Sequence, residues 1–330
     1  MTKSATSVRY ALNGQVIGIT AESPDLWRDF DRMVGSLRVS ETVEPGFSID
    51  IVETESLPES PDGSLAFDGE VPEDGHCRMI DNGAVIHLIF PGRQTCSIHA
   101  GEGWARIHVR PDTKIVWTLW MLVLDAALDA GGQHMLHTAG LTLPGSDDLV
   151  LIHAPSGTGK STTSLALASQ GFGLCSDDAM VLSLASGKAL AWGLPRAVKI
   201  HSKTAEMIPL VQPCLGPSWD RNGEQAVSLE RLREIIRVED SRPRPASALL
   251  HLARSADGQN RMVAMAKTDA MVALAADNVR TGMTGLLPLQ KRRLATITKL
   301  VLAVPTFTLQ VGATPADAAP LIRSALAAQG

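Results

Sequence analysis

Paired cysteines, a basic block and a long apolar run are all missing from this chain of 330 residues. Its four cysteines, Cys77, Cys96, Cys175 and Cys214, stand far apart, with no spacing that would make a zinc site or a redox dithiol. Free buried thiols in a reducing compartment are the economical expectation. The formal net charge is −5, and the densest cationic cluster, Lys291-Arg292-Arg293, is too short for a nucleic-acid track. It reads instead as a solvated helix face. Met1-Thr2-Lys3-Ser4-Ala5-Thr6-Ser7 lacks the apolar core of a secretion signal. The most apolar helical stretch, residues 115–130, contains Asp125 and Asp129 and is too short to span a bilayer. A cytoplasmic, soluble protein with neither a nucleic-acid nor a membrane partner is expected.

What the chain does have is material for a core. Apolar residues make up 45% of it, which rules out global disorder, and the length favours two domains. Residues 8–19, 47–52, 84–90 and 105–109 read as strands, and 26–37 as a helix. Residues 53–75 are rich in acid, Pro and Gly and read as an exposed loop. His87, His99 and His108 are scattered through this part and read as structural. A boundary near Pro111-Asp112 divides a smaller α/β domain, 1–112, from a second domain, 113–330. In the second, 113–130 reads as a helix stopped by Gly131-Gly132, 137–143 as a strand, and 144–148 as a hairpin-like turn.

The most informative stretch follows. The apolar run Leu149-Val150-Leu151-Ile152-His153 feeds Ala154-Pro155-Ser156-Gly157-Thr158-Gly159, and Lys160-Ser161-Thr162 then opens a helix. A strand, a glycine-rich turn and Lys-Ser at the start of a helix is the layout of a phosphate-binding loop. Small residues let the backbone curl so that successive N–H groups face an anion, and the helix N-terminus adds to the attraction. Residues Ser156, Gly157, Thr158, Gly159, Lys160, Ser161 and Thr162 would hold a nucleotide. Lys160 would reach the outer phosphates, and the Ser161 hydroxyl is placed to ligate magnesium. Ala154 stands where the usual pattern has its first glycine, a change that requires ordinary dihedrals there.

Asp177-Asp178 lie seventeen residues beyond Lys160, at the end of the next strand-like segment. A magnesium nucleotide needs a carboxylate at such a position, to hold the metal or to take a proton from an attacking hydroxyl. The run from His137 to Leu182, with His-Thr-Ala-Gly-Leu, Ala-Pro-Ser-Gly-Thr-Gly-Lys-Ser-Thr and Ser-Asp-Asp-Ala-Met-Val-Leu, resembles the HPr kinase/phosphorylase-like proteins. These share a phosphate-loop fold with ATP-dependent phosphoenolpyruvate carboxykinases. The resemblance implies an α/β kinase domain of that kind, preceded here by the smaller α/β domain. It implies ATP and magnesium as cofactors, Asp177 as general base toward a serine hydroxyl with His137 beside it, and Asp178 in the metal environment. One element of the family pattern departs. True HPr kinases carry a glutamate-containing Arg-Gly-Leu-Gly segment, whereas the nearest stretch here, Ala191-Trp192-Gly193-Leu194-Pro195-Arg196, has no glutamate. That departure points away from HPr as substrate and from the reverse reaction. It resembles more closely the divergent kinases of peptide-modification clusters, including those that phosphorylate the terminal serine of a lasso-peptide precursor.

The expectation is therefore a magnesium-dependent kinase that transfers the γ-phosphate of ATP to a serine of a peptide or protein. Catalysis would rest on Asp177, His137 and Lys160, with Arg196 a candidate cation for the transferring phosphoryl group; a surface arginine at a strand edge is the plainer reading of that last residue. Two alternatives stay open: a kinase of a small hydroxylated metabolite, and a nucleotide-gated binding module with little turnover. Residues 286–302 and 316–328 read as helices and 306–311 as a strand. Their apolar faces would serve a homo-oligomer or packing within the monomer equally well.

Overall fold

Asn13 and Gly14 both take positive φ, 48° and 105°, as a two-residue hairpin turn requires. In the computed structural model, which describes residues 5–279 and 288–328, residues 8–19 are accordingly not one strand. They form the hairpin Thr6–Leu12 and Gln15–Ala21, closed at the Leu12–Gln15 pair. The second of these strands runs parallel to Phe47–Glu53, and that one parallel to Trp104–Val109. An antiparallel meander then passes through Gln94–His99, Ile86–Phe90 and Gly75–Asp81 to an edge strand, Ser64–Val71. That edge lies inside the stretch expected to be loop. The expected exposure holds, but the backbone is extended and paired, Phe67 opposite Met79 and Val71 opposite Gly75.

This sheet belongs to the first of two units, Met1–Gln133 with Thr281–Leu289; the second is His134–Arg280 with Gln290–Gly330. The helix Trp117–Ala130 sits in the first unit, although the boundary expected at 112 assigned it to the second domain. Its buried stripe of Leu119, Trp120, Val123, Leu124, Ala127 and Leu128 explains the placement. The Trp120 ring lies 5.0 Å from that of Phe30, and the Gln15 amide donates to the Ala127 carbonyl at 3.0 Å.

The second unit is organised by Leu149–His153, a five-residue strand buried along its whole length. It runs parallel to Arg244–Arg254 on one side and antiparallel to Thr138–Thr142 on the other. Arg244–Arg254 in turn pairs in parallel with Thr306–Val311, as expected of a strand there. Alternation along the central strand supplies two cores, because successive side chains leave on opposite faces. Val150 and Ile152 pack with Leu165, Leu167 and Ala168 of the helix Lys160–Ala168. Leu149 and Leu151 pack with Ala270 and Leu274 of the helix Lys267–Asn278 and with Ile297, Leu300 and Val301 of Pro288–Ala303. A sheet covered on both faces by helices is a layered α/β arrangement.

Three further expectations need correction or placement. The strand expected over 137–143 is two strands, His134–Leu136 and Thr138–Thr142, which pair with different neighbours and break at His137. The cationic cluster is not wholly solvated: Lys291 and Arg292 are exposed, but Arg293 is buried and donates to the Asn278 carbonyl at 3.2 Å. The helix expected from 286 is described from Pro288 to Ala303; residues 286 and 287 lie outside the described residues. Among the described residues no helix is long and apolar enough to cross a membrane.

Candidate active site

The loop after Leu149–His153 is shaped by two glycines. Gly157 and Gly159 hold φ of 74° and 108°, values that side-chain-bearing residues rarely adopt. Ala154 is not among the residues with positive φ, and its methyl is fully buried. An alanine is thus accommodated where the usual pattern has glycine. Lys160 is the first residue of the helix that follows, and Gly159 caps it. The Arg254 guanidinium, at the end of the neighbouring parallel strand, donates to the Gly157 carbonyl at 2.7 Å.

Lys160 is 9% exposed, and its ammonium donates to the His137 carbonyl at 3.4 Å. Burial holds its pKa below the usual lysine range, against the opposing pull of Asp178, Asp177 and Asp277. The Ser161 hydroxyl donates to Asp177 Oδ2 at 2.9 Å. Asp177 is 4% exposed, and burial together with the adjacent Asp178 charge pushes its carboxyl up to about 7. The chain bends at Asp177 and Asp178 between the strands Gly173–Ser176 and Met180–Ala185, and the Ser176 hydroxyl accepts from the Ala179 N–H at 3.2 Å.

Arg196 reaches the same place by a backbone route. Gly193 closes the strand Lys188–Gly193, and a Cβ there would lie 2.2 Å from the Cys175 carbonyl oxygen, so only glycine permits the approach. The next residue, Leu194, donates its N–H to the Ala179 carbonyl at 3.0 Å. The turn that follows brings the Arg196 guanidinium to 3.6 Å from Asp178 Oδ1. Lys199 is tied elsewhere, pairing with Glu224 at 3.7 Å.

Of the residues singled out from the sequence, His137, Lys160, Ser161, Asp177, Asp178 and Arg196 share one neighbourhood. His137 contributes its carbonyl to Lys160, while burial and the Lys160 charge hold its imidazole below the ordinary histidine value. Thr162, expected among the nucleotide contacts, has its hydroxyl 2.7 Å from that of Thr204. Four residues that sequence reasoning passed over also belong here: His153, His251, Asp277 and Asn278. The readable signal was the polar residue at the same point in two apolar strands, His153 after Leu-Val-Leu-Ile and His251 after Leu-Leu. Nothing in the sequence marked Asp277 or Asn278.

Ser161, Asp177 and Asp178 are hard oxygen donors at a helix N-terminus, a set suited to magnesium that keeps phosphate and water among its ligands. Among the described residues no three His, Cys, Asp or Glu side chains gather as a self-sufficient metal cage.

The second unit is thus an α/β layer structure with a glycine loop at the end of its central strand, a buried lysine opening the next helix, and an acid pair after the strand Gly173–Ser176. No protein-family model matches the sequence, and no curated protein matches it. Among solved structures, the HPr(Ser) kinase/phosphatase from Coxiella burnetii is similar at 15% identity, over 60% of this chain and 99% of that one, with a TM-score of 0.31.

Proposed function

We propose that the protein is an ATP-dependent, magnesium-requiring kinase that phosphorylates a serine hydroxyl of a peptide or protein. The observation that carries this reading is the contact between Ser161 Oγ and Asp177 Oδ2 at 2.9 Å, beside a buried Lys160. It joins the loop's hydroxyl to a carboxylate in the way that a magnesium nucleotide site needs. The peptide acceptor rests on the sequence resemblance and on the glutamate missing from residues 191–196.

In this reading the backbone of residues 156–161 cradles the phosphates and Lys160 neutralises the outer ones. Magnesium, held by Ser161 and Asp178, would neutralise phosphate oxygens. Asp177 takes the proton as the serine oxygen bonds to the γ-phosphorus and the bond to the bridging oxygen of ADP breaks. A carboxyl near 7 is well matched to that task at neutral pH. His137 orients or tunes the Asp177 carboxylate, and Arg196 offsets charge on the moving phosphoryl group.

A second assignment of the two acids is favoured by the same contact. Asp177 already holds the Ser161 hydroxyl, which suits the metal side, while the Asp178 side chain is 35% exposed beside Arg196 and suits the acceptor side. Substituting each by Asn separates the two. Incubation of candidate precursor peptides with ATP and magnesium, read by mass spectrometry, is expected to add one phosphate to a serine. Asp177→Asn is expected to abolish transfer by about 10²–10⁴-fold while keeping nucleotide affinity. If Asp178→Asn does this instead and Asp177→Asn weakens magnesium dependence, the exchanged roles hold. Transfer unchanged in both variants sinks both assignments of the acids, and wild-type protein that adds phosphate to no acceptor sinks the kinase reading.

A further inference from the structure

The helix Lys267–Asn278 ends in two consecutive residues that grip different parts of the site. Asp277 Oδ2 lies 2.8 Å from Nε2 of His153, the last residue of the strand that feeds the glycine loop. The other ring nitrogen of His153, Nδ1, is 3.2 Å from Nδ1 of His251, its register partner in the parallel strand. With Nε2–H donating to a carboxylate, a neutral His153 accepts at Nδ1, and His251 is the donor there. The ring is therefore fixed in both orientation and tautomer.

Asn278 works on the other side. Its Oδ1 accepts from the His137 N–H at 2.6 Å, and its amide nitrogen donates to the Leu274 carbonyl at 2.8 Å, which fixes the amide's orientation. His137 passes this on, since its carbonyl receives the Lys160 ammonium. The helix end is itself fastened from the next helix, where Arg293 donates to the Asn278 carbonyl. A carboxylate at a helix C-terminus opposes the helix dipole, so Asp277 does not serve its own helix. Its partner is the loop-bearing strand.

We propose that Asp277 and Asn278 are positioning residues of the phosphoryl-transfer site. Asp277, through His153, sets the start of the glycine loop; Asn278, through His137, sets Lys160. The proposal rests on the kinase reading of the same site, and the two can fail separately.

The test uses the full chain with Asp277→Ala, Asp277→Asn, Asn278→Ala and Asn278→Asp, each checked for an unchanged thermal midpoint. Affinity for the non-hydrolysable analogue AMP-PNP with magnesium is measured by calorimetry, and ATP turnover at saturating ATP is measured beside it. Asp277→Ala is expected to weaken AMP-PNP binding at least fivefold, while Asp277→Asn, whose amide oxygen still accepts from His153, stays within twofold. Asn278→Ala is expected to lower turnover at least tenfold with a clearly smaller loss of AMP-PNP affinity. Asn278→Asp, which still accepts from the His137 N–H but faces the Leu274 carbonyl, is expected to recover part of the turnover. Alanine variants within twofold of wild type on both readouts overturn the proposal. So does an equal loss in affinity and turnover that the conservative variants do not repair. Wild-type protein that binds AMP-PNP but turns over no ATP overturns the kinase reading alone, and the Asp277 pair is then decided on binding. Wild-type protein that binds no AMP-PNP overturns both.

Discussion

Two strands of this molecule stand at opposite extremes. Ser64–Val71 is an edge with nearly every side chain in solvent; Leu149–His153 has none. Both are extended and both are paired, so backbone hydrogen bonding does not distinguish them. What differs is the number of neighbours that fix each side chain. A strand packed on both faces holds its terminal residue in one place, and here that residue, His153, stands at the start of the glycine loop. An edge strand with both faces wet has no such anchor. Precision at the candidate site therefore comes from the core beneath it, as functional geometry generally demands.

The widest test of this contrast is truncation of one side chain in each strand. Ile152→Ala is expected to destabilise by about 2–5 kcal/mol, as buried isoleucines do when cut to alanine. Leu65→Ala, at a position 43% exposed, is expected to stay within about 0.5 kcal/mol. Chemical denaturation of both variants checks the pair, and comparable losses would break the contrast.

A smaller effect sharpens it, because the central unit also carries charge that its burial disfavours. Asp177 has a folded pKa of about 7, above its usual 3.8. Such a group stabilises fully below 3.8 and progressively less as pH rises through about 7. Without nucleotide or magnesium, Asp177→Asn should raise the melting midpoint at pH 8 by a few degrees, on the order of what 1–2 kcal/mol gives in a domain this size. That gain should shrink toward pH 5. Differential scanning fluorimetry at the two pH values reads it, and an equal gain at both would show that the carboxylate is not the cost.

The smallest expected effect runs the other way in pH. Burial lowers the pKa of His137, His153 and His251 below the ordinary 6.5. The unfolded chain then takes up protons first on acidification, so this contribution is complete above about 6.5 and lost as pH falls through the folded values. With the opposing Asp177 contribution removed by Asp177→Asn, the midpoint should fall between pH 7 and pH 5.5, and adding His153→Gln should flatten that fall. A profile of unchanged slope in the variant would remove His153 from the account.

Much of the site was legible because it is local in sequence. The strand, glycine loop and Lys-Ser lie within fifteen residues, and the acid pair follows one helix later. Local too was the Asn13-Gly14 turn, a strong hairpin signal that the surrounding apolar residues obscured. The helix-end grip was not legible. Residues 137, 153, 251, 277 and 278 come together only through strand register and helix packing, and no spacing rule reaches across such separations. The edge strand Ser64–Val71 was hidden for another reason: Leu65, Phe67 and Val71 do alternate with Ser64, Asp68 and Glu70, but the acid, Pro and Gly around them read as loop. The placement of Trp117–Ala130 was hidden as well, since an apolar stripe shows that a helix packs but not on which partner.

All four thiols of the chain are buried. Desolvation carries Cys77 up to about 11 and Cys175 to about 12, and raises Cys96 and Cys214 too. Since alkylating reagents consume the thiolate, the native chain is expected to react only slowly with maleimides at neutral pH. A cysteine introduced at Thr158, in the glycine loop, would label against almost no background, and its labelling rate would report directly when that loop is occupied.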